Sequence, residues 1–168
     1  WEEIETGRHA KQRKARTGGW AYTRMEGKMT PRYTMTAAGL TALLVGCSEL
    51  KLTPKESEKV DEGVRDGLAW MQENWAKVTK GSSGDIDGYL VYGLERMGVL
   101  GGLRSIGGHD WYAEGAQALV ESQATDGTWK GTYTRSVETA LCLLFLTRGT
   151  REAYARPSYE VEVADPKP

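Results

Sequence analysis

Apolar and polar positions along this chain repeat with a helical period, and almost no stretch alternates with the two-residue period of a half-buried strand. Val60, Val64, Leu68, Met71 and Trp75 follow one another at spacings of four, four, three and four. Such spacing lays them in one stripe, with Glu56, Lys59, Glu62, Arg65, Asp66 and Glu73 pointing elsewhere. Ahead of the stripe stands Thr53-Pro54-Lys55-Glu56. A threonine three residues before a glutamate makes a capping box, and a proline at the first helical position loses nothing by lacking an N–H. This segment predicts an outer, half-exposed helix. A second outer helix is expected from Asp110, as N-cap, through Ala116, Leu119 and Val120 to about residue 123.

Residues 35–50 (MTAAGLTALLVGCSEL) and 137–146 (VETALCLLFL) are apolar on nearly every side, as interior helices are. Residues 89–100 (YLVYGLERMGVL) are intermediate, with Glu95 and Arg96 as their only charges. These two are adjacent rather than one turn apart, so they need not pair. If the first sixteen residues are helical as well, outer and inner helices alternate three times. Laying GLAWMQEN over GAQALVES sets Gly67 on Gly115 and Glu73 on Glu121, an offset of 48 residues. Laying AAGLTALL over VYGLERMG gives 54. Weak self-similarity near this period, with two helices per unit, is the mark of a helical repeat array whose units must stack to bury their inner helices. Residues 150–168 break the pattern and are expected to be an extended tail or linker, with 156–168 alternating polar and apolar and carrying three prolines.

Composition narrows the function classes. The 168 residues are 39% hydrophobic and 27% charged with a net charge of -1, which describes a folded chain and gives no reason to expect a nucleic-acid partner. The basic cluster between Arg8 and Arg16 reads as a solvated helix face, since no aromatic or glycine pattern accompanies it. No apolar run is long enough to span a bilayer, and the start at Trp1 suggests a piece of a longer protein. Cys47 and Cys142 sit inside apolar runs and read as small core residues. They and the two histidines, His9 and His109, have no zinc-ligand spacing, so neither a metal nor another cofactor is expected. Ser82 and Ser83 lie in a Gly/Ser stretch without a nucleophile elbow.

Residues 123–129 read Gln-Ala-Thr-Asp-Gly-Thr-Trp. They resemble the QW motif, Q-x-x-D-G-x-W, that closes outer helices in squalene and oxidosqualene cyclases. Gly18-Gly19-Trp20-Ala21-Tyr22, followed by Met35-Thr36-Ala37-Ala38-Gly39-Leu40, looks like another repeat turn leading into an inner helix. The segments DGYLVYGLERMG and IGGHDWYAEGAQALV are similar to bacterial proteins with prenyltransferase and squalene-cyclase repeats. The resemblance covers residues 1–149 and implies an all-α fold, an α/α-toroid of which three hairpins form about half a ring. A protein partner, or a further part of the same chain, would then complete the ring. In such a motif Gln123, Gly127 and Trp129, like Gly19 and Trp20, act as structural staples: a cap, a turn of positive φ and an apolar cover.

The resemblance does not extend to catalysis. A triterpene cyclase of this fold would use a D-x-D-D run whose central acid protonates the substrate. Asp85-Ile86-Asp87-Gly88 has two of the acids and a glycine in place of the third, and an aspartate there is as readily a helix cap. The zinc ligands of the prenyltransferases are not recognisable. Asp85 and Asp87 are therefore weak catalytic candidates. Asp87, Tyr89, Tyr92, Trp111 and Tyr133 are weak ligand-binding candidates, because tryptophan and tyrosine offer apolar faces with a polar edge. The expected function is a non-catalytic repeat module that scaffolds, or binds a protein partner or an apolar ligand. The alternatives are an isoprenoid-converting enzyme with catalytic residues outside this chain, and a structural subunit of a larger assembly.

Overall fold

A computed structural model describes residues 18–22, 24–25, 28–77 and 87–148. The expected first outer helix, Asp85, Ser82, Ser83 and the tail over 150–168 lie outside the described residues. Within them the protein is helical: α1 (Tyr33–Glu49), α2 (Pro54–Glu73), a short 3-10 turn (Trp75–Lys77), α3 (Gly88–Gly101), α4 (Trp111–Ser122) and α5 (Arg135–Leu146). The one sheet among them is a pair of two-residue strands, β1 (Arg24–Met25) and β2 (Lys28–Met29), joined antiparallel with Arg24 opposite Met29.

The helices start where their caps dictate. Thr53 Oγ1 accepts from the Glu56 amide at 3.4 Å, and Glu56 Oε2 accepts from the Thr53 amide at 2.8 Å, closing the capping box on α2. Asp87 caps α3 by accepting from Leu90 N, and Asp110 caps α4 by accepting from Tyr112 N and Ala113 N. α3 stops at Gly102, whose φ of 62° suits a residue without Cβ.

The helices pack as a row with a partner layer. α3 lies between α1 and α5 and packs against both. Gly93 faces Ala37, and eight residues on Gly101 faces Leu44, so α1 and α3 run in the same direction. Gly88 meets Glu138 in the first half of α5 and Cys142 one turn further on, while Gly98 and Phe145 both touch Trp111, so α5 runs that way too. α2 returns against α1, with Gly63 on Leu43, Gly67 on Leu40 and the Trp70 ring on Tyr33. α4 returns against α5, with Gly115 on Phe145 and the Tyr112 hydroxyl donating to Leu146 O at 2.8 Å. Glycines recur at these contacts because helix axes approach most closely where one side chain is missing. A Cβ at Gly98 would overlap the Trp111 indole.

The stripe of α2 is buried as its spacing predicts: Val64, Leu68, Met71 and Trp75 belong to one core with Leu40, Leu44, Leu90, Leu94, Met97, Leu119 and Phe145. Two expectations change. Val120, read as part of the apolar side of α4, is 66% exposed, because it follows Leu119 by 100° and turns out of the core. α5, read as an interior helix, buries Glu138, Cys142 and Phe145 and leaves Val137, Leu143 and Leu144 exposed, since among the described elements it is α3 and α4 that pack on it.

Candidate functional site

Three sides of α3 are occupied. Gly93 and Gly101 face α1, Gly88 faces α5 and Gly98 faces Trp111. The remaining side carries Tyr89, Tyr92, Arg96 and Leu100, three and four residues apart, with Tyr89 exposed and the others partly so. Arg96 Nη1 donates to the Tyr92 hydroxyl at 3.3 Å, and its guanidinium sits 5.7 Å from the Tyr92 ring centre. Beside it, the loop before α5 brings Tyr133 edge-on to Tyr89 with centroids 6.2 Å apart. On α5, Val137 and Leu144 point away from Thr139 and Leu146, the residues that serve the α4 side, and extend the same surface. Of the residues expected to bind a ligand, Tyr89, Tyr92 and Tyr133 thus share one face, while Asp87 stands at the N-cap of α3.

Asp87 is committed locally. Its Oδ1 accepts from Leu90 N at 3.1 Å, which is the capping role. Trp111 belongs elsewhere: it is buried among Gly98, Tyr112 and Phe145, and its indole N–H donates to Leu103 O at 2.8 Å. A side chain with its polar edge satisfied and its faces covered is core, so Trp111 is apart from the tyrosine face.

The residues expected as staples have these contacts. Gln123 Nε2 donates to Gly127 O at 2.9 Å, Gly127 takes a φ of 79°, and buried Trp129 donates from Nε1 to Leu119 O at 2.8 Å. Asp126 locks the same loop through Thr128 and an ion pair with Arg135 at 2.7 Å, and the Thr128 hydrogen bonds hold its carboxyl below the usual range. Trp20 fills the space left by Gly39 and Gly67, and Gly19 is pressed among Pro31, Thr36 and Trp70. The Trp20 amide donates to buried Thr36 Oγ1 at 3.0 Å.

Two clusters escaped the sequence reading. Glu138 is fully buried, and its carboxylate accepts from Gly88 N at 2.9 Å and Tyr133 N at 2.7 Å, tying the start of α3 to the loop before α5. The cue was a lone carboxylate in an apolar run. The Cys142 thiol lies next to it and is pushed up to about 12, chiefly by burial and then by the nearby Glu138 and Asp87 charges. Such a thiol stays protonated and is a poor nucleophile. The second cluster joins the end of α2 to the start of α4. Glu114 accepts from Trp75 Nε1 at 2.6 Å and meets His109 Nδ1 at 3.0 Å, while the His109 ring stacks on Trp75 at 5.0 Å. The tight turn that delivers His109 uses Gly107 and Gly108 at φ values of 58° and 80°.

Among the described residues no group of three or more His, Cys, Asp and Glu side chains could hold a metal ion. No described helix is long and apolar enough to cross a membrane. No protein-family model, curated protein or solved structure matches this chain.

Proposed function

We propose that this chain is a non-catalytic, toroid-like helical repeat module that binds through an apolar, aromatic face. The reading rests on the fourth side of α3. Three sides carry glycines pressed against neighbours, yet the fourth carries two tyrosines and an arginine, continued by Tyr133, Val137 and Leu144. Large aromatic residues left partly exposed together are what an interaction surface uses, since each offers a wide apolar contact with little side-chain entropy to lose. Arg96 stacked by Tyr92 adds one oriented cation to an otherwise uncharged strip. The engagement of Asp87 in capping favours binding over proton-transfer chemistry, because its Oδ1 is turned to its own helix and accepts from Leu90 N.

A test uses 1-anilinonaphthalene-8-sulfonate, an anionic apolar probe, titrated by fluorescence against the folded chain. Saturable binding that weakens about tenfold in Tyr89→Ser and in Arg96→Gln, equal to a loss of about 1.4 kcal/mol, is expected. Binding indifferent to both substitutions, with circular dichroism unchanged, would remove this face as the site.

A further inference from the structure

Arg96 is the one charged residue among those that make the tyrosine face of α3, and it is partly buried there. Its guanidinium donates an N–H to the Tyr92 hydroxyl at 3.3 Å and lies 5.7 Å from the centre of that ring. Among the described residues it pairs with no carboxylate. The acids of the same region are turned elsewhere. Glu95, next in sequence, is rotated by about 100° around the helix, and it is fully buried. Asp87 accepts from Leu90 N, and Glu138 accepts from Gly88 N and Tyr133 N, both near the start of α3. Arg96 lies about 12 Å further along the helix than Gly88.

The open part of this guanidinium defines what it can receive. Of its five N–H donors one goes to Tyr92, which leaves a two-donor edge uncommitted, the fork that matches a carboxylate. A half-covered cation without a counter-ion gains most from an anion that arrives with the ligand. One positive charge balances one carboxylate, whereas a phosphate or diphosphate brings charge that nothing else on the face offsets. From Arg96 back to Tyr89 the helix presents about 10 Å of largely aromatic surface. Tyr133 continues it, meeting Tyr89 edge-on. The backbone donors and acceptors of α3 are already used within the helix. An extended peptide laid on it would bring a row of N–H and C=O groups with few partners, while a hydrocarbon or aromatic body brings none.

We propose that the ligand of the tyrosine face is an amphiphilic monocarboxylate, a choice that rests on that face being the binding surface. Its carboxylate lies in the open fork of Arg96, and its apolar body runs over Tyr92 and Tyr89 toward Tyr133. Tyr92 both fixes the guanidinium and covers the body beside it.

Decanoate and 1-decanol, equal in chain and different in head, provide the test. Each is titrated, below its micellar range, against the 168-residue chain loaded with N-phenyl-1-naphthylamine, a neutral fluorescent probe. The probe reports the apolar face itself, and Tyr89→Ser should weaken its binding about tenfold. On the wild type, decanoate should displace it at a concentration at least about tenfold lower than decanol does. On Arg96→Gln the two should compete equally. Arg96→Lys, which keeps the charge and loses the fork, should fall between, and it takes the place of Arg96→Gln should circular dichroism show that variant misfolded. Decyl phosphate, with its further charge, should do no better than decanoate. A probe that binds while decanoate and decanol compete equally on the wild type leaves the face in place and overturns the carboxylate ligand. So does a preference for decanoate that survives Arg96→Gln, and so does stronger competition by decyl phosphate. A chain that does not bind the probe, or binds it regardless of Tyr89→Ser, overturns the face and its ligand together.

Discussion

α3 and α5 are neighbours of similar character, short, apolar and running in the same direction, yet one is enclosed and the other is half bare. α3 has Leu90, Val91, Leu94, Met97 and Gly98 buried, whereas α5 has Cys142 and Phe145 buried and Leu143 and Leu144 exposed. The difference lies in neighbours. Among the described elements, α3 is held by α1, α4 and α5, and α5 by α3 and α4. An apolar helix announces that it is to be covered. Its sequence does not say whether the cover comes from within the described residues.

The largest test of the covered side of α5 is Trp129. Its indole closes the joint between α4 and α5, buried and bonded to Leu119 O. Trp129→Ala is expected to cost about 3–5 kcal/mol in urea unfolding. A loss below about 1 kcal/mol would mean that the joint is held by the Gln123–Gly127 turn and not by the indole.

Next comes a matched pair of truncations. Leu94→Ala in α3 should destabilise by about 2–5 kcal/mol, since Leu94 is 1% exposed and the vacated space cannot collapse fully. Leu144→Ala in α5, 42% exposed, should change the stability by no more than about 0.5 kcal/mol. Equal losses would show that the contrast between the two helices is false.

Glu138 probes the seam where they meet. Glu138→Ala strips the acceptor from Gly88 N and Tyr133 N, and each orphaned donor costs about 1–3 kcal/mol. Glu138→Gln keeps one carbonyl oxygen and should lose markedly less. If the two variants unfold at the same urea concentration, the carboxylate is packing there and not bonding.

The pH response of Cys142 sharpens the same seam. In the folded protein the thiol is raised to about 12 by burial first and by Glu138 and Asp87 after it. Unfolding returns it to an ordinary value of about 8.5, so the unfolded chain binds fewer protons above that pH. This contribution to stability is therefore complete below about pH 8.5 and is lost as pH rises toward 12. A maleimide should modify Cys142 only at the rate of unfolding, while half-buried Cys47 reacts sooner.

Much of this was legible along the chain, and the part that was not has a common cause. Thr53-Pro54-Lys55-Glu56 announces α2 because a capping box is a local signal, complete within four residues. Asp87 and Asp110 announce α3 and α4 for the same reason. The Gln123–Trp129 turn is equally local. What escaped depends on residues far apart: Glu138 finds Gly88 across 50 positions, and Trp75 finds Glu114 across 39. Trp111 was placed with the tyrosines on residue type, whereas the absence of a side chain at Gly98 seats it in the core.

The smallest expected effect separates a cap from a catalytic acid. Asp87→Asn preserves a side-chain oxygen facing Leu90 N, and asparagine caps about as well as aspartate, so stability should change by less than about 0.5 kcal/mol. Asp87→Ala removes the acceptor and should cost about 1 kcal/mol. That ordering ties the residue to the start of α3, where its backbone carbonyl also takes the first helical hydrogen bond from Val91 N at 3.1 Å. Should Asp87→Asn leave the fold intact and abolish turnover of an isoprenoid substrate by the wild type, the carboxyl proton would be doing chemistry that capping does not require. The tyrosine face of α3 would then be the wall of an active site.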